Sequence, residues 1–143
     1  MKIENGVLKS VYDEDIKLLN ENPAAFWDGI KVVGSFVFYG CGNLERIEIP
    51  EGVEEISGGA FYGCYNLKEV KLPSTLKKIG ENVFLSCENL ERIEIPEGVE
   101  EISERAFDRC YNLKEVKLPS TLKKIGEFAF SNCRNLERIE IPE

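Results

Sequence analysis

Residues 64–86, CYNLKEVKLPSTLKKIGENVFLS, decide the fold, because almost all of the chain after residue 30 is a copy of this 23-residue stretch. A fixed period in the twenties is typical of a solenoid, in which each unit buries its apolar side only by stacking on its neighbours. Four residue types recur in strict register: Cys41, Cys64, Cys87, Cys110 and Cys133; Pro50, Pro73, Pro96, Pro119 and Pro142; Phe38, Phe61, Phe84, Phe107 and Phe130; and Leu44, Leu67, Leu90, Leu113 and Leu136.

The pattern inside one unit predicts three short segments. Apolar and charged residues alternate over residues 69–72, which indicates a strand with one buried side. Pro73 cannot donate a ladder hydrogen bond and ends that strand. Residues 76–79 predict a second short strand. The apolar run at Val83 and Phe84 is too short for a full helix, so we expect a single helical turn there.

Three motifs carry a resemblance to a known family. They are L-x-x-I-x-I-P at residues 44–50, V-x-x-I at residues 53–56 and A-F-x-x-C at residues 60–64. Together they resemble leucine-rich repeats of the BspA-like bacterial surface-antigen type, also found in treponemal proteins, over roughly residues 30–143. The resemblance implies an α/β solenoid, a right-handed coil with a parallel sheet on its concave side. Most members of that family are surface or secreted proteins that bind other proteins or host components.

Two regions follow along the chain. Residues 1–29 are predicted to form an N-terminal cap, with a hairpin at Asn5-Gly6 and a short helix that Asp13 caps. Residues 30–143 are predicted to form the solenoid, with an incomplete and uncapped last repeat.

An aromatic pair ends the predicted cap. Ala24, Phe26 and Trp27 align with residues 47–50 of the next unit, so we expect them in the corresponding strand positions. There the two rings would close the open end of the core. The alternative interpretation is an aromatic ligand site at Trp27.

Composition excludes several function classes. The net charge of −8 disfavours nucleic acid and anionic membrane surfaces as partners. The chain has no histidine, and cysteines 23 residues apart lack the close pairs of a zinc site. We therefore expect no enzyme, metal or cofactor, and a ladder of buried thiols instead. The start of the chain lacks the apolar core of a signal peptide, which favours the cytoplasm as expressed, whereas the family resemblance implies the cell exterior.

Charges invert from one unit to the next. Glu45 is followed at 23-residue steps by Lys68 and Glu91, and Arg46 by Glu69 and Arg92. In a parallel stack every neighbour in such a ladder has the opposite sign, which fixes the register of the coils. A charged ligand groove on the strand face is the alternative, but alternating signs cancel the field that it would need.

Residues 44–89 and 90–135 differ at nine of 46 positions, all between the second short strand and the next leucine. We interpret this near-identity as consensus design, although recent duplication would give the same pattern. Variation confined to one side predicts a contact ridge, beside which lie Gly58, Gly59, Gly63 and Asp108. The predicted protein-binding ridge consists of Phe36, Tyr39, Tyr62, Leu85, Arg105, Arg109 and Phe128. The alternative is that some of these side chains fold down onto the cap or the terminal coil.

The far end of the chain predicts self-association, because no further unit covers the last one. Antiparallel pairing of two copies about Ile139 sets Arg138 of each opposite Glu140 of the other, which is a twofold contact. The predicted surface consists of Leu122, Ile125, Phe130, Arg138, Ile139 and Glu140.

The sequence as a whole favours a non-enzymatic repeat scaffold for protein binding or self-assembly as a homodimer. A fragment of a natural bacterial surface protein that binds host proteins is the alternative.

Overall fold

The chain folds into a solenoid of stacked coils with a hairpin and two helices at its N-terminal end, in a computed structural model that describes residues 1–142. Residue 143, the last of the predicted solenoid, lies outside the described residues. The elements are β1 (Lys2–Glu4), β2 (Val7–Ser10), α1 (Asp13–Glu21), α2 (Pro23–Trp27), β3 (Val32–Val33), β4 (Arg46–Glu48), β5 (Glu55–Ile56), β6 (Glu69–Lys71), β7 (Lys78–Ile79), β8 (Arg92–Glu94), β9 (Glu101–Ile102), β10 (Glu115–Lys117), β11 (Lys124–Ile125) and β12 (Arg138–Glu140).

Two sheets run along the solenoid. The five longer coil strands form a parallel sheet in the order β4-β6-β8-β10-β12. The two-residue strands continue the cap hairpin in the order β1-β2-β3-β5-β7-β9-β11, parallel except for the β1–β2 pair. Arg46 lies beside Glu69, and Glu115 lies beside Arg138. The predicted repeat fold, its parallel sheet and the 23-residue register are thereby confirmed.

The third side of each coil is a series of tight turns, so the prediction of a single helical turn is wrong. The N–H of Leu85 bonds Asn82 of its own coil at 3.3 Å, and that of Cys87 bonds Phe84 at 3.1 Å. The residues that alternate with them reach the next coil instead: the N–H of Phe84 donates to Ala106 O at 2.8 Å, and that of Ser86 donates to Asp108 O at 2.8 Å. A helix directs all its N–H groups along its own axis. This segment alternates between its own coil and the next, and so builds a third ladder between coils.

The core contains one phenylalanine and one cysteine from each complete coil. The rings of Phe38, Phe61, Phe84, Phe107 and Phe130 stack nearly parallel, with neighbouring centroids 5.0 to 5.5 Å apart. The Cys64 thiol donates to the carbonyl of Phe38 at 3.0 Å, and the other core cysteines repeat this bond. Burial raises the pKa of Cys64 to about 12, so this thiol stays protonated and unreactive at neutral pH.

The cap differs from its prediction in two details. Helix α1 begins at Asp13 itself, because the N–H of the preceding Tyr12 bonds the Asp15 carboxylate at 2.8 Å. Residues 23–27 form helix α2 and not a strand. Asn22 accepts the N–H of Ala25, and proline at the first helical position suits a helix start.

The aromatic pair nevertheless closes the core from this helix. Phe26 is fully buried, and its ring centroid lies 6.3 Å from that of Phe38, the first ring of the core stack. Trp27 is also buried and packs edge-on against Phe26 at 5.1 Å.

Gly34 joins the cap to the first coil. A Cβ added there would overlap the backbone oxygen of Leu8, which accepts the Gly34 N–H at 2.9 Å. We expect Gly34→Ala to lower the free energy of unfolding by about 1–3 kcal/mol, since backbone cannot give way as a side chain can. Urea unfolding measures this effect. Gly42→Ala is the matched control, because its added methyl would meet only the Asn66 amide at 4.0 Å. Equal stability of the two variants would contradict the close approach.

Candidate functional site

Two residues of every coil on the ridge side have left-handed backbone, and several of them are bulky. Phe36, Arg105, Arg109 and Phe128 have φ of 57°, 55°, 60° and 57°. The remaining positions of the same two columns carry smaller residues, all with positive φ: Gly40, Gly59, Gly63, Asn82, Ser86 and Asn132. Four of the seven predicted ridge residues therefore occupy the positions of least usual backbone geometry in the repeat.

The turn ladder imposes this geometry. Except for Asn82, each positive-φ residue of these two columns is the third residue of a hydrogen-bonded turn, as in the turns closed by Val37 to Gly34 and by Cys87 to Phe84. That position favours glycine or asparagine. A bulky residue held there costs of order 1–3 kcal/mol. Phenylalanine and arginine at these positions thus lower the stability of the fold.

The N-terminal half of the ridge is an exposed aromatic cluster. Phe36 and Tyr39 expose 53% and 60% of their surface. Tyr62 is half-buried, and its centroid lies 5.3 Å from that of Tyr39 and 6.5 Å from that of Phe36. The Phe36 ring covers Gly59 of the next coil so closely that a Cβ at Gly59 would overlap it. The glycine makes room for the ring, and the result is a broad, rigid apolar surface.

The C-terminal half of the ridge is cationic. The guanidinium of Arg105 lies 5.1 Å from the centroid of the Phe128 ring, which is 55% exposed. Arg105 also lies 3.9 Å from the Glu104 carboxylate. Arg109 is exposed one turn further along. A cation–π contact at an exposed site contributes about 0.5–1 kcal/mol, which offsets only part of the backbone cost.

One predicted ridge residue does not belong to this surface. Leu85 is buried, with 8% of its surface exposed. The structure adds Tyr65, half exposed near the backbone of Gly63. The sequence could not identify Tyr65 as part of this surface, because a tyrosine at the same position of another coil has the same sequence context.

The residues of the predicted self-association end are brought together at the last coil. Ile125 and Ile139 are 50% and 42% exposed, whereas the equivalent Ile102 and Ile93 of inner coils are buried. Leu122 and Phe130 are half-buried, and Arg138 and Glu140 are exposed. Within the described residues, β11 and β12 are the outer strands of their sheets.

The strand face carries the alternating charges that the sequence predicts. Lys71 lies 3.6 Å from Glu48, and Lys117 lies 3.6 Å from Glu94. These side chains are largely exposed, so each pair contributes at most about 1 kcal/mol. Opposite charges lie side by side across the face, as expected if they fix the register of the coils.

The fold and repeat define the class of protein as a leucine-rich repeat solenoid. The chain belongs to the BspA type leucine rich repeat family, whose model matches residues 31–143 in six copies.

Solved structures give the same result. A leucine rich cell surface protein from Faecalibacterium prausnitzii A2-165 is 36% identical, with a TM-score of 0.77, over 79% of this chain and 30% of that one. A leucine-rich repeat protein from Bacteroides ovatus is 37% identical, with a TM-score of 0.65, over 78% and 35%. The T. pallidum leucine rich repeat protein is 28% identical, with a TM-score of 0.74, over 96% and 69%.

The chain spans about a third of the length of the first two of these proteins. Comparison with curated proteins gives no significant match. In residues 1–142, no helix combines the length and the apolar character that crossing a membrane requires.

Replacing bulky ridge residues that have positive φ should stabilise the protein. We expect the double variant Arg105→Asn with Phe128→Asn to raise the free energy of unfolding by about 1 kcal/mol, because Asn82 occupies the same column and asparagine tolerates positive φ. Urea denaturation measures the change. Tyr39→Asn is the control, since it removes an exposed ring outside the positive-φ columns and should not stabilise. A double variant less stable than the parent would contradict the backbone argument.

Proposed function

We propose that this protein is a non-enzymatic scaffold that binds another protein through the ridge formed by Phe36, Tyr39, Tyr62, Arg105, Arg109 and Phe128. The observation that carries the proposal is the set of bulky side chains at positive φ. Selection for stability alone would leave glycine or asparagine at these positions, as at Gly59, Gly63 and Asn82. Residues kept against a stability cost are common where a protein makes functional contacts.

The composition of the ridge suits a protein partner. Tyrosine, phenylalanine and arginine are the side chains most enriched at protein interfaces, and rigid aromatic groups lose little entropy on binding. The Phe36–Tyr39–Tyr62 cluster supplies aromatic anchors, and Arg105 and Arg109 supply cationic contacts two coils away. An acidic or mixed-charge partner surface with an apolar centre would match this layout.

The family resemblance favours a place on the bacterial cell surface, where a host protein would be the partner. We infer further that the near-identical halves reflect consensus design or recent duplication. Under either origin the ridge is the part of the coil that departs from the repeat. The lack of histidine and the inert core thiols support a binding role over a catalytic one.

Binding of a panel of immobilised host extracellular proteins tests the ridge. We expect Phe36→Asn with Tyr62→Asp to weaken any observed binding by about 30-fold, the effect of losing an aromatic hot spot worth about 2 kcal/mol. Asp108 is the natural counterpart of Tyr62 in the next pair of coils, which keeps the fold. The matched control, Arg92→Ala with Glu94→Ala, changes the strand face and should bind as the parent does. If the strand-face variant weakened binding and the ridge variant did not, the binding site would lie on the strand face instead.

A second function, self-assembly, is supported by the exposed apolar residues of the last coil. A second copy, or a further coil of a longer chain, would cover Ile125 and Ile139. Antiparallel pairing of β12 with its copy sets Arg138 against Glu140 at both ends of the contact. Head-to-tail pairing of β12 with β4 would set Arg138 against Arg46 and is disfavoured. We therefore propose a closed twofold dimer and not a filament.

Light-scattering mass over a concentration series tests the dimer. Ile139→Lys should give monomer at every concentration, because it buries a charge in the contact. Ile3→Lys is the control, since Ile3 is equally exposed, at 41%, but lies at the other end of the molecule. A parent protein that remains monomeric at high concentration would rule the dimer out.

A further inference from the structure

A cleft separates the cap helices from the first strand of the five-stranded sheet. Its volume is about 400 Å³, which is in the range of clefts that hold ligands. One wall is β4 with Pro50, and the other is the end of α1 together with α2. The lining residues are Leu19, Asn20, Pro23, Ala24, Trp27, Arg46, Ile47, Glu48 and Pro50.

Strand β4 presents an open edge to this cleft. Among the described strands it pairs only with β6. On that side Ile49 donates to Lys71 O at 2.9 Å, and Glu45 O accepts from Lys68 at 2.8 Å. Successive residues of a parallel strand point their backbone groups to alternate sides. The N–H and C=O groups of Arg46 and Glu48 therefore point toward the cleft, where an extended chain could bond them.

Trp27, which lines the cleft, carries an unsatisfied polar group. Its side chain lines the cleft, and its buried Nε1–H has no acceptor among the described residues. A buried donor without an acceptor costs about 1–3 kcal/mol.

The charges along β4 define which peptide would fit. Throughout the sheet a strand reading Arg-apolar-Glu lies beside a strand reading Glu-apolar-Lys, as β4 does beside β6. By the same rule, the open side of β4 accepts an acidic residue beside Arg46, an apolar residue beside Ile47 and a basic residue beside Glu48. Strand β12 of a second copy reads Arg-Ile-Glu and would oppose like charges.

We propose that this cleft binds an extended segment of a partner protein as an added parallel strand, with the pattern acidic–apolar–basic. The apolar side chain would pack against Ile47, Leu19 and Trp27 on the inner side of the strand. This proposal extends the proposed protein-binding function to a second surface, and its test uses variants that leave the ridge unchanged.

The test titrates the protein with the blocked hexapeptide Lys-Glu-Val-Lys-Leu-Pro, which is the sequence of residues 68–73 and 114–119. Trp27 is the only tryptophan of the chain, so its indole N–H resonance and its fluorescence report on the cleft directly. We expect a saturable shift of that resonance. The peptide Lys-Lys-Val-Glu-Leu-Pro has the same composition with the charges exchanged, and should bind at least about tenfold more weakly. Methylation of the valine nitrogen, which removes a ladder donor, should abolish binding.

Two protein variants test whether the peptide binds in this cleft. Ala24 is exposed on α2 and lines the cleft, whereas the adjacent Ala25 is exposed and does not. Ala24→Arg should fill the cleft and reduce affinity at least about tenfold, and Ala25→Arg should bind as the parent does. The proposal is overturned if the indole resonance does not shift at millimolar peptide, if the charge-exchanged or methylated peptide binds equally well, or if Ala24→Arg binds unchanged. Failure here with an intact ridge response would leave the proposed function standing.

Discussion

The hydrogen bonds between the turns of successive coils constrain this fold most strongly. On the third side of each coil, one N–H closes a turn and the next reaches a carbonyl 22 residues further on, as Phe84 reaches Ala106. This alternation packs backbone against backbone along the whole solenoid. It also requires left-handed conformation at two positions of every coil. The two sheets, the stacked rings and the thiol ladder all share the repeat distance that these bonds set.

Under the proposed function, stability and recognition therefore compete at the same residues. A coil optimised for the ladder would carry glycine or asparagine in both columns, as the coil with Gly59 and Gly63 does. Phe36, Arg105, Arg109 and Phe128 depart from that optimum and present their side chains to solvent. The interior, in contrast, holds almost nothing but apolar groups and protonated thiols. The chemistry available to a partner thus lies on the ridge, on the strand face and at the two ends, and the ridge alone departs from the repeat.

The sequence predicts the solenoid well, because a period of 23 residues can only be satisfied by stacking, and the inverted charges of Arg46 and Glu69 fix the register. It misassigns the third side, since a short apolar run such as Val83-Phe84 has no periodicity that separates a helical turn from tight turns. The aligned Gly40 and Gly63 did contain the signal: glycine recurring in a column indicates positive φ there. Asn22 before Pro23 likewise indicates a helix start that the alignment with residues 47–50 obscured. The burial of Leu85 and the open edge of β4 depend on three-dimensional packing that no local pattern encodes.

Scalar couplings transmitted across hydrogen bonds test the turn ladder most directly, because each one identifies a donor nitrogen and its acceptor carbonyl. The ladder predicts a coupling from the amide nitrogen of Phe84 to the carbonyl carbon of Ala106, and from Ser86 to Asp108. A coupling from Phe84 to Gly80, four residues back, would show a helical turn. That result would remove the need for positive φ at Arg105 and Phe128, and with it the physical reason for regarding the ridge as a surface kept for binding.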